Sequence, residues 1–86
     1  MPYIKNKQQA FQAAQQAFVQ AQQATNNLIP NDEDFGHHYK QAEQEVMEAE
    51  QVIDKALRNA SEHQRLELEK FQTELAEIKG NLDRMS

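Results

Sequence analysis

Histidine and carboxylate side chains are the groups in this sequence that could bind a metal ion. His37 and His38 are adjacent, so on a helix their side chains point about 100° apart and cannot both face one ion. Asp34 and His37 have the i, i+3 spacing of a di-metal helix, but such a centre needs a second pair and further inward-facing glutamates. We therefore expect surface histidines and no metal site.

Residues 31–42 resemble a calcium-binding loop only superficially. Gly36 stands sixth, as in an EF-hand loop, but Phe35 stands fifth and Ala42 twelfth, where oxygen ligands are required. The chain also has no glycine-rich phosphate loop and no Gly-x-Ser-x-Gly nucleophile turn. We expect no bound cofactor.

Carboxylates crowd the middle of the chain without forming a recognisable catalytic pair. They are Glu43, Glu45, Glu48, Glu50 and Asp54. Acid–base catalysis by two carboxyl groups needs a pocket that raises the pKa of one of them, and slender helical proteins rarely form such a pocket. We expect the protein not to be an enzyme and to have no small-molecule substrate.

The net charge of −5 is spread unevenly. Residues 1–31 carry two lysines and no acid, residues 32–62 carry nine acids and three bases, and residues 63–86 carry five acids and four bases. Binding to nucleic acid or to an anionic membrane needs clustered lysine and arginine, so we expect neither partner.

The N-terminal residues and the absence of cysteine bear on localisation. Residues 1–7 lack the apolar stretch of a signal peptide, and no segment approaches the roughly 18 apolar residues of a membrane span. Without cysteine, the chain has no disulfide and no thiolate metal site. We expect a cytoplasmic protein.

A seven-residue repeat predicts the first helix, over about residues 4–28. Gln-Gln-Ala begins at positions 8, 15 and 22, and seven residues make two helical turns. The repeat defines a seam, meaning the positions that face a neighbouring helix: Ile4, Phe11, Phe18 and Thr25 on one side, and Lys7, Ala14, Ala21 and Leu28 on the other. Aromatic rings thus alternate with alanines, which allow a neighbouring helix to approach closely.

A break at Pro30 precedes the second helix, predicted over about residues 33–59. The residue before a proline disfavours helix, and Asn31, Asp32 or Asp34 can cap the helix that follows. The seam of this helix has alternating spacings of four and three residues: Phe35, Tyr39, Ala42, Val46, Ala49, Ile53, Ala56 and Ala60.

A third seam predicts a helix over about residues 62–84. It consists of Gln64, Leu68, Phe71, Leu75, Ile78, Leu82 and Met85. Between Ala60 and Gln64 a spacing of four follows another four, so the pattern slips by one residue. Ser61 followed by Gln64 is a capping-box pattern and favours a break there. The alternative is a helix that continues through a local stutter.

Both interpretations give an all-α protein with a single helical domain over residues 1–86. With a break, three helices form an up-down-up bundle with coiled-coil-like seams. Without a break, a short first helix packs on one long helix, and two such hairpins must dimerise to cover their apolar surface.

The second half of the chain also carries a family resemblance. The residues concerned are Tyr39, Ala42, Val46, Ala49, Lys55, Ser61, Gln64, Arg65, Leu68, Leu75 and Ile78. Through them residues 35–85 resemble the YtzC-like family, small helical proteins of Bacillus-type bacteria that have no assigned activity. The resemblance implies a cytoplasmic bacterial helical protein and implies no functional residues.

Three apolar residues off the seams would be exposed in a simple bundle and are the candidate binding residues. They are Val19, Met47 and Leu66. If they converge on one face, they form a patch for a partner. We expect a protein–protein interaction or regulatory module that buries helix faces against another protein or, as a homodimer, against itself. The alternative is a structural or packaging protein, such as a spore or surface-layer component.

Overall fold

The computed structural model describes residues 2–85, with side chains over residues 8–85. Within this range three α-helices run up, down and up: α1 (Pro2–Asn26), α2 (Phe35–Arg58) and α3 (Glu62–Met85). α1 packs against both other helices, and the bundle measures 50 × 20 × 14 Å. The predicted all-α three-helix bundle is confirmed, and the alternative hairpin with one long helix is wrong.

α1 begins and ends two residues earlier than its sequence pattern predicts. It begins at Pro2, and proline is favoured at the first helical position because no partner exists there for an N–H. At the other end the Asn27 N–H still donates to the Gln23 carbonyl oxygen over 3.0 Å. The Leu28 N–H instead donates to the Thr25 carbonyl oxygen over 3.2 Å, which is a tighter turn. Leu28 therefore leaves the helix, although its side chain stays in the core.

Asp32 organises the turn that leads into α2. Its backbone carbonyl accepts a hydrogen bond from the Phe35 N–H over 3.1 Å, and its side-chain Oδ1 accepts one from the Asp34 N–H over 3.2 Å. Asp34, one of the three predicted caps, occupies the N-cap position but makes no capping hydrogen bond with its side chain. The carboxylate of Asp32 thus stabilises the turn before the cap, and α2 begins at Phe35.

Ser61 and Gln64 form a reciprocal capping box at the start of α3. The Gln64 N–H donates to the Ser61 Oγ, and the Ser61 N–H donates to the Gln64 Oε1, both over 3.3 Å. At the end of α2 the Asn59 N–H donates to the Ala56 carbonyl oxygen over 3.3 Å. The helix therefore breaks where the seam slips by one residue, and α2 and α3 each keep their own seam.

Alanines form the contact between α1 and α2. Four of them are 0% exposed: Ala14, Ala21, Ala42 and Ala49. The distance between two packed helices depends on the side chains at their contact, and methyl groups allow the backbones to come close. α1 makes its most extensive contact with α2.

α3 completes the core with larger side chains. Its leucines at the seam are at most 2% exposed: Leu68, Leu75 and Leu82. The ring of Phe71 stacks on Phe18 with 4.9 Å between centroids and lies 6.3 Å from Phe11. The Tyr39 hydroxyl donates to the Leu82 carbonyl oxygen over 2.7 Å. Aromatic contacts therefore join α3 to α1, and this hydrogen bond ties it to the start of α2.

The predicted seams agree with burial except near the chain ends. Met85, the last residue of α3, is 39% exposed. The predicted seam residues Ile4 and Lys7 lie outside the residues whose side chains the structure describes.

Replacement of Ser61 by alanine removes one half of the capping box. We expect Ser61→Ala to lower the free energy of unfolding by about 1 kcal/mol, because the Gln64 N–H loses its acceptor. Urea denaturation followed by circular dichroism measures the change. Ser61→Asp keeps an acceptor at the cap and should remain close to the native protein; equal losses in both variants would contradict the role of the cap.

Enlargement of an interhelical alanine should disturb the α1–α2 contact. Ala49 is 0% exposed, so we expect Ala49→Leu to lower the free energy of unfolding by about 1–3 kcal/mol through overpacking. Ala13 makes a matched control because it lies on the solvent side of α1, where Ala13→Leu should change stability by no more than about 0.5 kcal/mol. Thermal unfolding of both variants compares them, and a neutral Ala49→Leu would show that the helices are not closely packed there.

Candidate functional site

The described residues form grooves where each pair of helices meets, and the three differ in chemistry. The α1/α2 groove is lined mainly by polar side chains, including Gln20, Gln23, Asn27, His38 and Glu45. The α1/α3 groove is similar, with Gln8, Gln12, Gln15, His63 and Glu67 around the edge of Phe11. Only between α2 and α3, among these three, does the groove have a floor of several aliphatic side chains.

The α2/α3 groove has one edge on each helix, and each edge consists of residues that directly follow the seam residues of that helix. Its α2 edge consists of Glu43, Met47, Glu50 and Asp54, with Gln51 next to Glu50 in the lining, and its α3 edge consists of Gln72, Ala76, Lys79 and Asp83. Both edges keep spacings of four, three and four residues, so each forms a straight stripe along its helix. Eleven residues of helix rise about 16 Å, which makes the groove about three turns long.

Aliphatic side chains make the floor of this groove. Val46, Leu75 and Leu82 lie at its base and are at most 2% exposed, so Met47, with 56% of its surface exposed, is the main accessible aliphatic side chain of the groove. The recess beside Leu82 has a volume of about 200 Å³, below the roughly 300 Å³ at which small-molecule pockets begin. The recess beside Leu75 is larger, about 460 Å³, but more open. An elongated open groove of this kind suits one face of a helix.

An ion pair crosses the groove near its middle. The Nζ of Lys79 lies 3.5 Å from the Oε2 of Glu50, and both side chains are about half exposed. Asp54 instead contacts Arg58 of its own helix, over 3.8 Å between two well-exposed side chains. Exposed pairs of this type contribute little to stability. The α2 edge therefore carries three acids and no base, together with Met47 and Gln51, whereas the α3 edge carries one base and one acid.

The structure places the three sequence-predicted binding residues on three different helices. Val19, Met47 and Leu66 are 40%, 56% and 64% exposed. Met47 borders the α2/α3 groove, whose lining includes neither of the others. Val19 lies in a shallow depression formed by α1 alone. Leu66 precedes the buried Leu68 by two residues, so helical geometry turns it about 160° away from the core. A common patch of these three stays a prediction.

Most residues of the groove were not singled out by the sequence pattern. A signal for them was present, because each edge is the seam shifted by one residue. Over residues 43–54 of α2 that shifted stripe holds three acids and Met47. The sequence pattern does not show that the α2 stripe lies opposite the α3 stripe, because their pairing depends on how the two helices align.

His37 and His38, at the start of α2, contact each other. The rings of His37 and His38 meet edge to face with 5.8 Å between centroids. Among the side chains that the structure describes, no group of three or more histidine, aspartate or glutamate residues is arranged to hold a metal ion.

Over the helices of residues 2–85, no stretch combines the length and apolar character that crossing a bilayer requires.

Comparison of the chain with protein-family models, with curated proteins and with solved structures finds no match. The resemblance of residues 35–85 to the YtzC-like family accordingly stays a prediction.

Proposed function

We propose that this protein is a non-enzymatic protein–protein interaction module whose α2/α3 groove receives an α-helix of another protein. The observation that carries the proposal is the half-exposed Met47 beside an aliphatic floor, at the centre of a groove about three turns long. A helix laid there would bury its apolar face against Met47 and the aliphatic parts of the side chains along the edges, and would convert three packed helices into four.

Several features of the groove support binding of a helix. Its apolar floor is flanked by charged and amide side chains, the arrangement of a protein interface with an apolar centre and a polar rim. Methionine at such a surface adapts to differently shaped partners because its side chain is unbranched and flexible. A contact of three turns belongs to the small, transient interfaces that bury less than about 1,200 Å², so a regulatory partner that binds and leaves suits it.

The cellular setting is part of the same proposal. The resemblance to the YtzC-like family supports a bacterial cytoplasmic protein, and the acidic surface supports a protein partner over nucleic acid or an anionic membrane. The proposed mechanism is burial of helix faces, which requires no cofactor and no small-molecule substrate.

Met47 should carry much of the affinity for a helix. We expect Met47→Ser to weaken binding by about tenfold, since a central apolar contact is lost. The probes are peptides of about 14 residues with a leucine stripe and a polar face of lysine, glutamine or glutamate, followed by fluorescence anisotropy. Circular dichroism checks that each variant is folded.

Leu66→Ser and Val19→Ser are matched controls for this experiment. Both remove an exposed aliphatic side chain outside the α2/α3 groove, so neither should change the affinity. Equal losses in all three variants would point to the common patch instead of the groove. Absence of binding by every peptide, or an unchanged affinity in Met47→Ser, would exclude the proposed function.

A second candidate function is self-assembly into a structural layer or package, and the surface of α1 favours it. Residues 8–31 contain no charged residue, and the eight glutamines of α1 are all exposed. Since the rest of the chain is acidic, copies of the protein repel each other least where their α1 faces meet. Amide side chains on those faces could also form hydrogen bonds with each other.

Self-assembly through α1 should be disrupted by placing negative charge on its outer face. Gln16 and Gln23 are exposed and seven residues apart, so they lie on one side of the helix. If this second function holds, light scattering at rising concentration gives a mass above the 10.0 kDa of one chain, and Gln16→Glu with Gln23→Glu restores the monomer. A mass of one chain at every concentration would rule the second function out.

A further inference from the structure

We propose that the helix received by the α2/α3 groove is cationic along the side that faces α2, and that one of its basic residues takes the place of Lys79 beside Glu50. This inference rests on the proposed function and names the chemistry of the partner.

The acidic edge of the groove sets the charge of its occupant. Glu43, Glu50 and Asp54 stand on the stripe that borders the groove on α2, at spacings of seven and four residues. A helix packed beside this stripe presents one side to it, with residues that recur at the same spacings. Lysine or arginine at those positions would meet Glu43 and Glu50, and would share Asp54 with Arg58 of α2, whereas acidic residues would be repelled.

Lys79 shows that an ammonium group is accepted at this point of the groove. Its side chain reaches from α3 across to Glu50 with an N–O distance of 3.5 Å, and the Glu50 side chain is 43% exposed. The pair is open to solvent, so exchange of one ammonium group for another does not expose a buried charge. Lys79 therefore occupies, from within the chain, the position that a partner's basic residue would take, and competes with it.

A second copy of this chain does not supply such a helix. α2 carries five acids and three bases, and α3 carries six acids and four bases. α1 carries two bases and no acid, but Lys5 and Lys7 are only two residues apart and do not repeat at spacings of seven and four. The acidic middle of the chain, residues 32–62 with nine acids and three bases, would instead attract a cationic partner and raise the rate of encounter.

The test compares charge removal on each side of the Glu50–Lys79 pair in the full chain. The probe is a leucine–lysine amphipathic peptide of about 14 residues, with leucine–glutamine and leucine–glutamate analogues of the same length. We expect Glu50→Gln to weaken binding of the lysine peptide by about two- to fivefold, and Lys79→Gln to strengthen it by a similar factor. Affinity of the native protein for this peptide should fall as salt is added.

Matched variants separate the groove from overall charge. Glu48→Gln and Lys70→Gln make the same charge changes on α2 and α3 at exposed positions outside the groove lining. Both should leave the affinity within about 1.5-fold of the native value, given the screening of exposed charges. If Lys70→Gln strengthens binding as much as Lys79→Gln does, the attraction comes from net charge and the inference fails.

The remaining outcomes distinguish this inference from the proposed function. Equal affinity for the three peptides, with the loss in Met47→Ser intact, would overturn the cationic partner but leave the helix-binding groove. Tighter binding of the glutamate peptide would do the same. Binding of no peptide, together with a dimer that Met47→Ser dissociates in sedimentation experiments, would assign the groove to a second copy and overturn both.

Discussion

The close packing of α1 on α2 through alanines is the contact on which the rest of the structure depends. Ala14, Ala21, Ala42 and Ala49 have no exposed surface, and their small size brings the two helices together along most of their length. α3 must then cover the remaining apolar side of this pair, and it does so with leucines and Phe71. The larger side chains at this third layer leave a wider groove between α2 and α3 than alanine packing would.

Charge is segregated around the bundle in a way that follows from this arrangement. α1 turns a face of glutamine toward solvent, whereas α2 and α3 carry the charged residues of the described helical surface beyond residue 8. Glu43, Glu50 and Asp54 border the α2/α3 groove. Of the three grooves between helix pairs described above, this is the one whose base is mainly aliphatic. In the proposed function, attraction of a basic partner and burial of its apolar face would therefore act at the same place, which is what selective binding of a helix needs.

The site itself shows the limit of a residue pattern. Exposure alone identifies Val19, Met47 and Leu66 equally, since each lies outside a seam. Only Met47 among them borders the groove between α2 and α3. An isolated exposed aliphatic residue is common on any protein surface. Met47 is therefore a candidate for binding because of the α3 residues on the other side of the groove, not because of its own hydrophobicity.

Local periodicity was sufficient to predict three helices, their buried faces and the capping box of Ser61 and Gln64, because these depend on residues within a few turns of each other. The choice between a break and a stutter, which the pattern left open, required the hydrogen bonds of that capping box. The pairing of the two groove edges, and the reach of Lys79 to Glu50, arise from the alignment of α2 against α3. That alignment joins residues 29 positions apart, and it is determined by packing across the whole core, not by spacing along one helix.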